Sequence, residues 1–304
     1  MNDVGDLHDL EAISCVDQEA DPAGFARRLG ASFRRHGFAV LADHGLDPDQ
    51  IEASVAATKT FFALPEAVKR RYLTAGSAGQ RGYTAFAVET AKGERHADLK
   101  EFWHVGQDAN VWPTEVTEFQ ARTLWLYRAL EKLGIRVMGA IADYLGEPPD
   151  AFEASVTGGD SILRLLHYPP AAFDGPAIRA GAHEDINAIT LLLGAEEAGL
   201  EILNREGRWL AVNAPPGAVV VNIGDMLARL SNDVLPSTTH RVVNPAADRR
   251  GIARYSTPFF LHFRSKFLIE TLPACVSAER PDRYPEPITA SAFLAQRLRD
   301  IGLS

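Results

Sequence analysis

The sequence predicts a mainly β protein, a jelly roll or barrel of short strands with helices packed around it. Two observations carry that expectation. The second half of the 304-residue chain holds a series of short β-type runs separated by turn signals. The first half instead shows apolar residues at helical spacing.

In chain order, residues 23–36 place Phe25, Leu29 and Phe33 at every fourth position, an amphipathic helical stripe. Residues 37–41 follow as a short apolar strand, and Asp43, His44 and Gly45 form a turn. Residues 49–63 read as a second helix closed by Pro65, and residues 65–72 as a further short helical turn. The longest helical pattern spans residues 118–146, with Leu124, Leu130, Leu133, Val137 and Ile141 on or near one face. Strands are then expected at 161–168, 188–193, 200–204, 209–212, 218–223, 241–243 and 254–263, with a closing helix at 288–301. The expected organisation is a helix and strand region over residues 1–115, packed on a core over residues 116–304. The jelly roll occupies about 160–265 of that core and the last helix closes it.

Composition narrows the function classes. Hydrophobic residues make up 46% and charged residues 23%, which suits a globular protein with a sizeable core. A net charge of -9 argues against nucleic acid as a partner, because such binders carry a basic face. No apolar run approaches the 18 or so residues of a membrane span, and the acidic start lacks the features of a signal peptide. With Cys15 and Cys275 as the two cysteines, a disulfide framework is excluded, and a cytoplasmic location is expected. The oligomeric state is not fixed by any of this, and a monomer is compatible with it.

Two His-x-Asp pairs occur, His96 with Asp98 and His183 with Asp185, against roughly 0.6 expected by chance. The first lies in the charged stretch 92–100, which reads as a solvated loop. The second precedes an apolar strand, where residues two apart share a face and both could project into a barrel while Glu184 points away. Taken alone it is equally a structural hydrogen-bonded pair. Downstream, His240 stands immediately before another strand, and Arg254 and Ser256 share one face of a further strand. Two imidazoles and one carboxylate suit a non-haem iron(II) site that keeps adjacent positions open for a cosubstrate and O2. A guanidinium offers a bidentate fork to a carboxylate, and a hydroxyl adds another bond. An arginine pointing into an apolar barrel needs an anionic partner, which a doubly charged cosubstrate supplies.

With these residues in place, the chain resembles the isopenicillin N synthase-like iron(II)/2-oxoglutarate-dependent dioxygenases. The resemblance runs through HGFAVLADHGL (36–46), FFALPEAVKRRY (61–72), GYTAFAVET (82–90), DLKEFW (98–103), RLLHYPP (164–170), NIGDMLARLSNDVLPSTTHRVVNP (222–245) and RYSTPFF (254–260). It implies a double-stranded β-helix core. Iron(II) ligands are then implied at His183, Asp185 and His240, and 2-oxoglutarate binding at Arg254, Ser256 and Tyr168. The implied reaction couples decarboxylation of 2-oxoglutarate by O2 to hydroxylation, desaturation or ring closure of a small organic substrate. Two departures stand out. Leu166 occupies a position where many members carry asparagine, and residues 246–250 lengthen the segment before Arg254.

Other readings stay open at this stage. An iron oxidase of the same fold that dispenses with 2-oxoglutarate uses the same kinds of residue. So does an inactive metal- or ligand-binding barrel. A serine hydrolase is disfavoured because no Gly-x-Ser-x-Gly elbow is present. Asp225 and His44 read as structural. His167 faces opposite Tyr168, whereas His262 shares the parity of Arg254 and Ser256. Phe102, Trp103, Met226, Leu227 and Phe260 are candidates either for a substrate pocket or for the core.

Overall fold

The computed structural model describes residues 5–6, 10–74, 81–88, 97–170, 178–193, 199–245, 249 and 251–300. Its strands are β1 (Gly5–Asp6), β2 (Ala12–Ser14), β3 (Phe38–Ala42), β4 (Gly82–Thr84), β5 (Glu101–Gly106), β6 (Ile162–Tyr168), β7 (Ala180–His183) and β8 (Ile189–Leu193). They continue with β9 (Leu200–Leu203), β10 (Trp209–Ala211), β11 (Val219–Ile223), β12 (His240–Val242), β13 (Arg254–Ser256), β14 (Pro258–Leu261), β15 (Leu268–Ile269) and β16 (Ile288–Thr289). The helices are α1 (Asp17–Ala20), α2 (Pro22–His36), α3 (Pro48–Phe62), α4 (Glu66–Lys69), α5 (Phe119–Leu145), α6 (Glu153–Val156), α7 (Asp225–Leu230) and α8 (Ala290–Asp300).

Local sequence explains the long helices. Asp21 caps α2 by accepting from the Gly24 N–H at 2.9 Å, Pro22 sits where its missing N–H costs nothing, and Gly37 closes the helix at φ 69°. The Gly37 position leaves no room for a side chain. An added Cβ would lie 2.2 Å from Thr238 Oγ1 and 2.7 Å from the Pro236 carbonyl. Asp47 and Pro48 start α3 in the same manner, and Gly146 ends α5. The stripe Phe25, Leu29 and Phe33 is fully buried, each side chain stabilising the fold by roughly 1.5–3 kcal/mol through lost apolar exposure.

Among the described residues the strands form a nine-stranded sheet ordered β2-β3-β11-β8-β14-β6-β5-β4, with β13 also on β6, facing a five-stranded sheet ordered β1-β10-β9-β12-β7. Residues before 116 supply β2 to β5 of the larger sheet. One face of that sheet carries Leu163, Leu165, Trp103, Leu191 and Val221 into the main apolar core with the helices. Its other face meets the smaller sheet through Phe38, Val40, Val220, Leu200 and Ile202. This is a jelly-roll sandwich, and the inner space between its sheets is where the predicted site residues fall.

The element limits follow the expected runs closely, with one division. The run expected at 254–263 splits at Thr257 into β13, paired to β6, and β14, paired to both β6 and β8. Register is nonetheless continuous, since Arg254 faces Tyr168, Ser256 faces Leu166 and Phe260 faces Ile162.

Candidate metal centre

Strand pairing builds the site. β12 lies antiparallel to β7 with His240 opposite His183, which brings the two rings to a centroid separation of 4.4 Å. β7 ends at His183, so Asp185 lies in the following loop rather than on the same strand. The expected shared strand face is therefore corrected in one respect: His183 and Asp185 converge with Glu184 exposed, but the loop after β7, not the pleat, carries the carboxylate inward. One ligand atom from each of His183, Asp185 and His240 lies within 4.8 Å of the others. Asp185 Oδ1 is 3.9 Å from Nε2 of each imidazole.

The remaining atoms of these side chains are tied down. His183 Nδ1 is 2.7 Å from the Gly181 carbonyl, and His240 Nδ1 is 3.1 Å from that of Thr238. A carbonyl only accepts, so each Nδ1 carries the hydrogen and each Nε2 presents a lone pair toward the common point. Asp185 Oδ2 accepts from Thr190 Oγ1 at 2.5 Å and from Asn222 Nδ2 at 2.8 Å, leaving Oδ1 turned to the imidazoles. Asn187 Nδ2 in turn donates to Thr190 Oγ1 at 3.0 Å. Phe38 meets the His240 ring edge-on at 5.5 Å.

Electrostatics favour the ligating forms. Loss of hydration around the ring nitrogens within the cleft, then the neighbouring His240, holds the His183 imidazole down to about 4 although one edge of the side chain stays open, so it is neutral at physiological pH. Burial alone would raise Asp185, but His240, His183 and the bonds from Asn222 and Thr190 outweigh it and keep its carboxyl below the ordinary range. Two imidazole nitrogens and one carboxylate oxygen facing a single point form a donor set that fits a divalent first-row metal ion. The set is open on one side: the His183 side chain is 38% exposed, against 10% for His240 and 7% for Asp185.

Arg254, Ser256 and Tyr168 are also brought together. All three are buried on the inner face, where Arg254 faces Tyr168 across the β13–β6 pair and its Cζ lies 5.1 Å from the phenol ring. Arg179, 1% exposed, sits 5.8 Å from the same ring, a neighbour the motif reading did not single out. Leu166 is buried in a small apolar cluster with Phe102 and Tyr168, so no side-chain amide stands at that position. Phe102 and Phe260 share this inner face, with the Arg164 guanidinium 4.3 and 5.3 Å from their rings. Trp103, Met226 and Leu227 belong instead to the main core.

The other histidines separate by surroundings. His44 bonds the Gly217 carbonyl and the Leu46 N–H, a structural role. His167 faces away from the site, 2.7 Å from Glu101, which also accepts from Lys69 and Tyr83. His262 is buried, and burial lowers it to about 4. His96 lies outside the described residues. The expected solvated loop at 92–100 is corrected for its end: Asp98 and Lys100 are buried and paired at 2.7 Å, and Asp98 Oδ1 accepts from the Gly181 N–H at 3.0 Å. A charge run reads as solvated only while its partners are unknown. Thr190 carries no motif signal, and Asn222 and Asp98, though inside family-like stretches, are not singled out there for these bonds, because their role arises from packing.

Residues 159–263 match the family profile described as the 2OG-Fe(II) oxygenase superfamily, and residues 4–126 match that of the N-terminal region of a non-haem dioxygenase in morphine synthesis. A 2-oxoglutarate-Fe(II) type oxidoreductase of Aspergillus fumigatus is 30% identical over 299 residues, covering 91% of this chain and 87% of its own. The crystal structure of a 2OG-Fe(II) oxygenase family protein from Caulobacter crescentus superimposes with a TM-score of 0.91 at 55% identity, covering 96% of this chain and 99% of that one. A full-length Neurospora crassa protein, crystallised in complex with alpha-KG, gives a TM-score of 0.88 at 31% identity, with 95% of each chain covered.

Proposed function

This chain belongs to the 2OG-Fe(II) oxygenase superfamily, and from that premise we propose that His183, Asp185 and His240 hold its iron(II) while Arg254, Ser256 and Tyr168 hold the distal carboxylate of 2-oxoglutarate. The protein is an iron(II)- and 2-oxoglutarate-dependent dioxygenase. The observation that carries the residue assignment is the convergence of two Nε2 atoms and one Oδ1 within 4.8 Å, with the opposite atoms of every ring and carboxylate already bonded.

When bound, iron and 2-oxoglutarate supply with O2 the oxidant for a C–H bond. For hydroxylation the balance is one substrate, one 2-oxoglutarate and one O2 giving one alcohol, one succinate and one carbon dioxide. The chain's own residues orient and exclude. Gly181 and Thr238 carbonyls fix the imidazole tautomers, and Thr190 with Asn222 aims the carboxylate. Arg254 provides the fork that fits a carboxylate, while Leu166 and Phe102 keep water from the space beside it. The exposed edge of His183 marks the side from which O2 and the prime substrate arrive.

The prime substrate is taken to be a small organic molecule that is hydroxylated, or desaturated or cyclised at the same centre. Nucleic acid does not suit a chain of net charge -9. No helix among the described residues is long and apolar enough to cross a membrane. The free, buried Cys15 and Cys275 fit a reducing cytoplasmic compartment. The direct test is His240→Ala, assayed for iron-dependent succinate release and for Mn(II) binding. Both are expected to be lost, and retention of either removes His240 from the site.

A further inference from the structure

The C-terminal helix reaches the back of the metal centre through one side chain. Arg297, on α8, donates from Nε to Asp225 Oδ2 at 2.9 Å, and its Nη2 lies 2.8 Å from the same oxygen. That Nη2 is also 3.8 Å from Glu184 Oε2. One acceptor sits on ligand-bearing backbone, and the other, on α7, is bonded to it. Glu184 lies between His183 and Asp185, and its other oxygen accepts from the hydroxyl of Thr239, the residue before His240, at 3.0 Å. The Asp225 N–H donates to the Asp185 carbonyl at 2.7 Å.

We propose that Arg297 is a positioning residue for iron, and that α8 acts through it as a latch holding the two ligand-bearing segments at ion-binding spacing. The inference rests on the assignment of His183, Asp185 and His240 as ligands. Docking of the helix does not depend on this contact alone. Ala290 and Phe293 are buried, Leu294 packs on the core, and the Ala290 and Ser291 N–H groups bond Phe267 and Ser265. The guanidinium does something further: it separates two like charges. Without it, Glu184 and Asp225 face each other as carboxylates, and their repulsion pushes the His183–Asp185 turn away from the segment that anchors it.

The test is anaerobic titration of the metal-free protein with Mn(II), read by the spectrum of the free ion, together with thermal unfolding. Arg297→Gln is expected to weaken Mn(II) binding about ten- to hundredfold, the usual cost of losing a group that orients a ligand. Leu294→Ala trims core packing of the same helix while leaving its other anchors and the Arg297 contacts in place. It should lower the melting temperature while leaving Mn(II) affinity within about twofold. Adding Glu184→Gln to Arg297→Gln removes the repulsion and should recover most of the loss. If Arg297→Gln does not fold, Arg297→Lys keeps one charge without the fork and is expected to fall between wild type and the predicted loss. Wild-type affinity in the Arg297 variants, or an equal loss in Leu294→Ala, overturns the proposal. Wild-type protein that binds no Mn(II) overturns the ligand assignment itself, and the latch with it.

Discussion

Replacing Asn222 with leucine removes the amide that donates to Asp185 Oδ2 at 2.8 Å while keeping nearly the same volume. Asn222 is 4% exposed and sits on β11 between Thr190 of β8 and Phe38 of β3, so water cannot take over the bond. A hydrogen bond to a charged group contributes about 1.5–3 kcal/mol, which at roughly 1.4 kcal/mol per tenfold corresponds to about ten- to hundredfold in a binding constant. Thr190 still holds the same oxygen, so the lower part of that range is expected: Mn(II) bound about ten- to thirtyfold more weakly. Anaerobic titration of the folded variant measures this directly. A dissociation constant within about twofold of wild type would mean that Thr190 alone orients the carboxylate, and the reasoning about the Asn222 bond would be wrong.

Arg254→Gln should raise KM for 2-oxoglutarate on the order of a hundredfold, the loss of a charge-assisted pair, while leaving Mn(II) affinity unchanged; steady-state succinate assays separate the two. Because burial lowers His262 from 6.5 to about 4, its contribution to stability is full above pH 6.5 and is lost as pH falls toward 4. The loss amounts to about 3 kcal/mol at the acid end. Denaturant midpoints of metal-free protein across that window should therefore slope less steeply in His262→Gln. Lys69→Met leaves the buried Glu101 carboxylate without its cation, 2.7 Å away, and should cost about 3 kcal/mol of stability without altering Mn(II) binding. A melting curve paired with a titration checks both halves.

Legibility followed the kind of physics involved. The stripe Phe25, Leu29 and Phe33 and the long α5 were readable because burial on one face leaves a periodic mark. β6, β8 and β11 were readable as apolar runs bounded by turns. β5 left no period-two mark because all its residues from Glu101 to Gly106 are buried, and β7, with two alanines and a glycine, left no hydrophobic mark. At the site, residue types announced His183, Asp185 and His240, but the register that sets His240 opposite His183 is a pairing of distant segments that no local spacing encodes. Asp98 and Lys100 misled for a related reason: charge in a sequence suggests water until the fold supplies a counter-charge.

The interleaving of early and late strands in the large sheet has a consequence for biosynthesis. β3, with Phe38 and Val40 toward the inner space and Leu41 toward the helices, finds its partner β11 only when Val219 to Ile223 have been made. That is roughly 180 residues later, or on the order of ten to forty seconds at ~5–20 residues per second. Over that interval a nascent chain leaving the ribosome carries an oily strand edge with no mate, and it is there that a holding chaperone has most to protect.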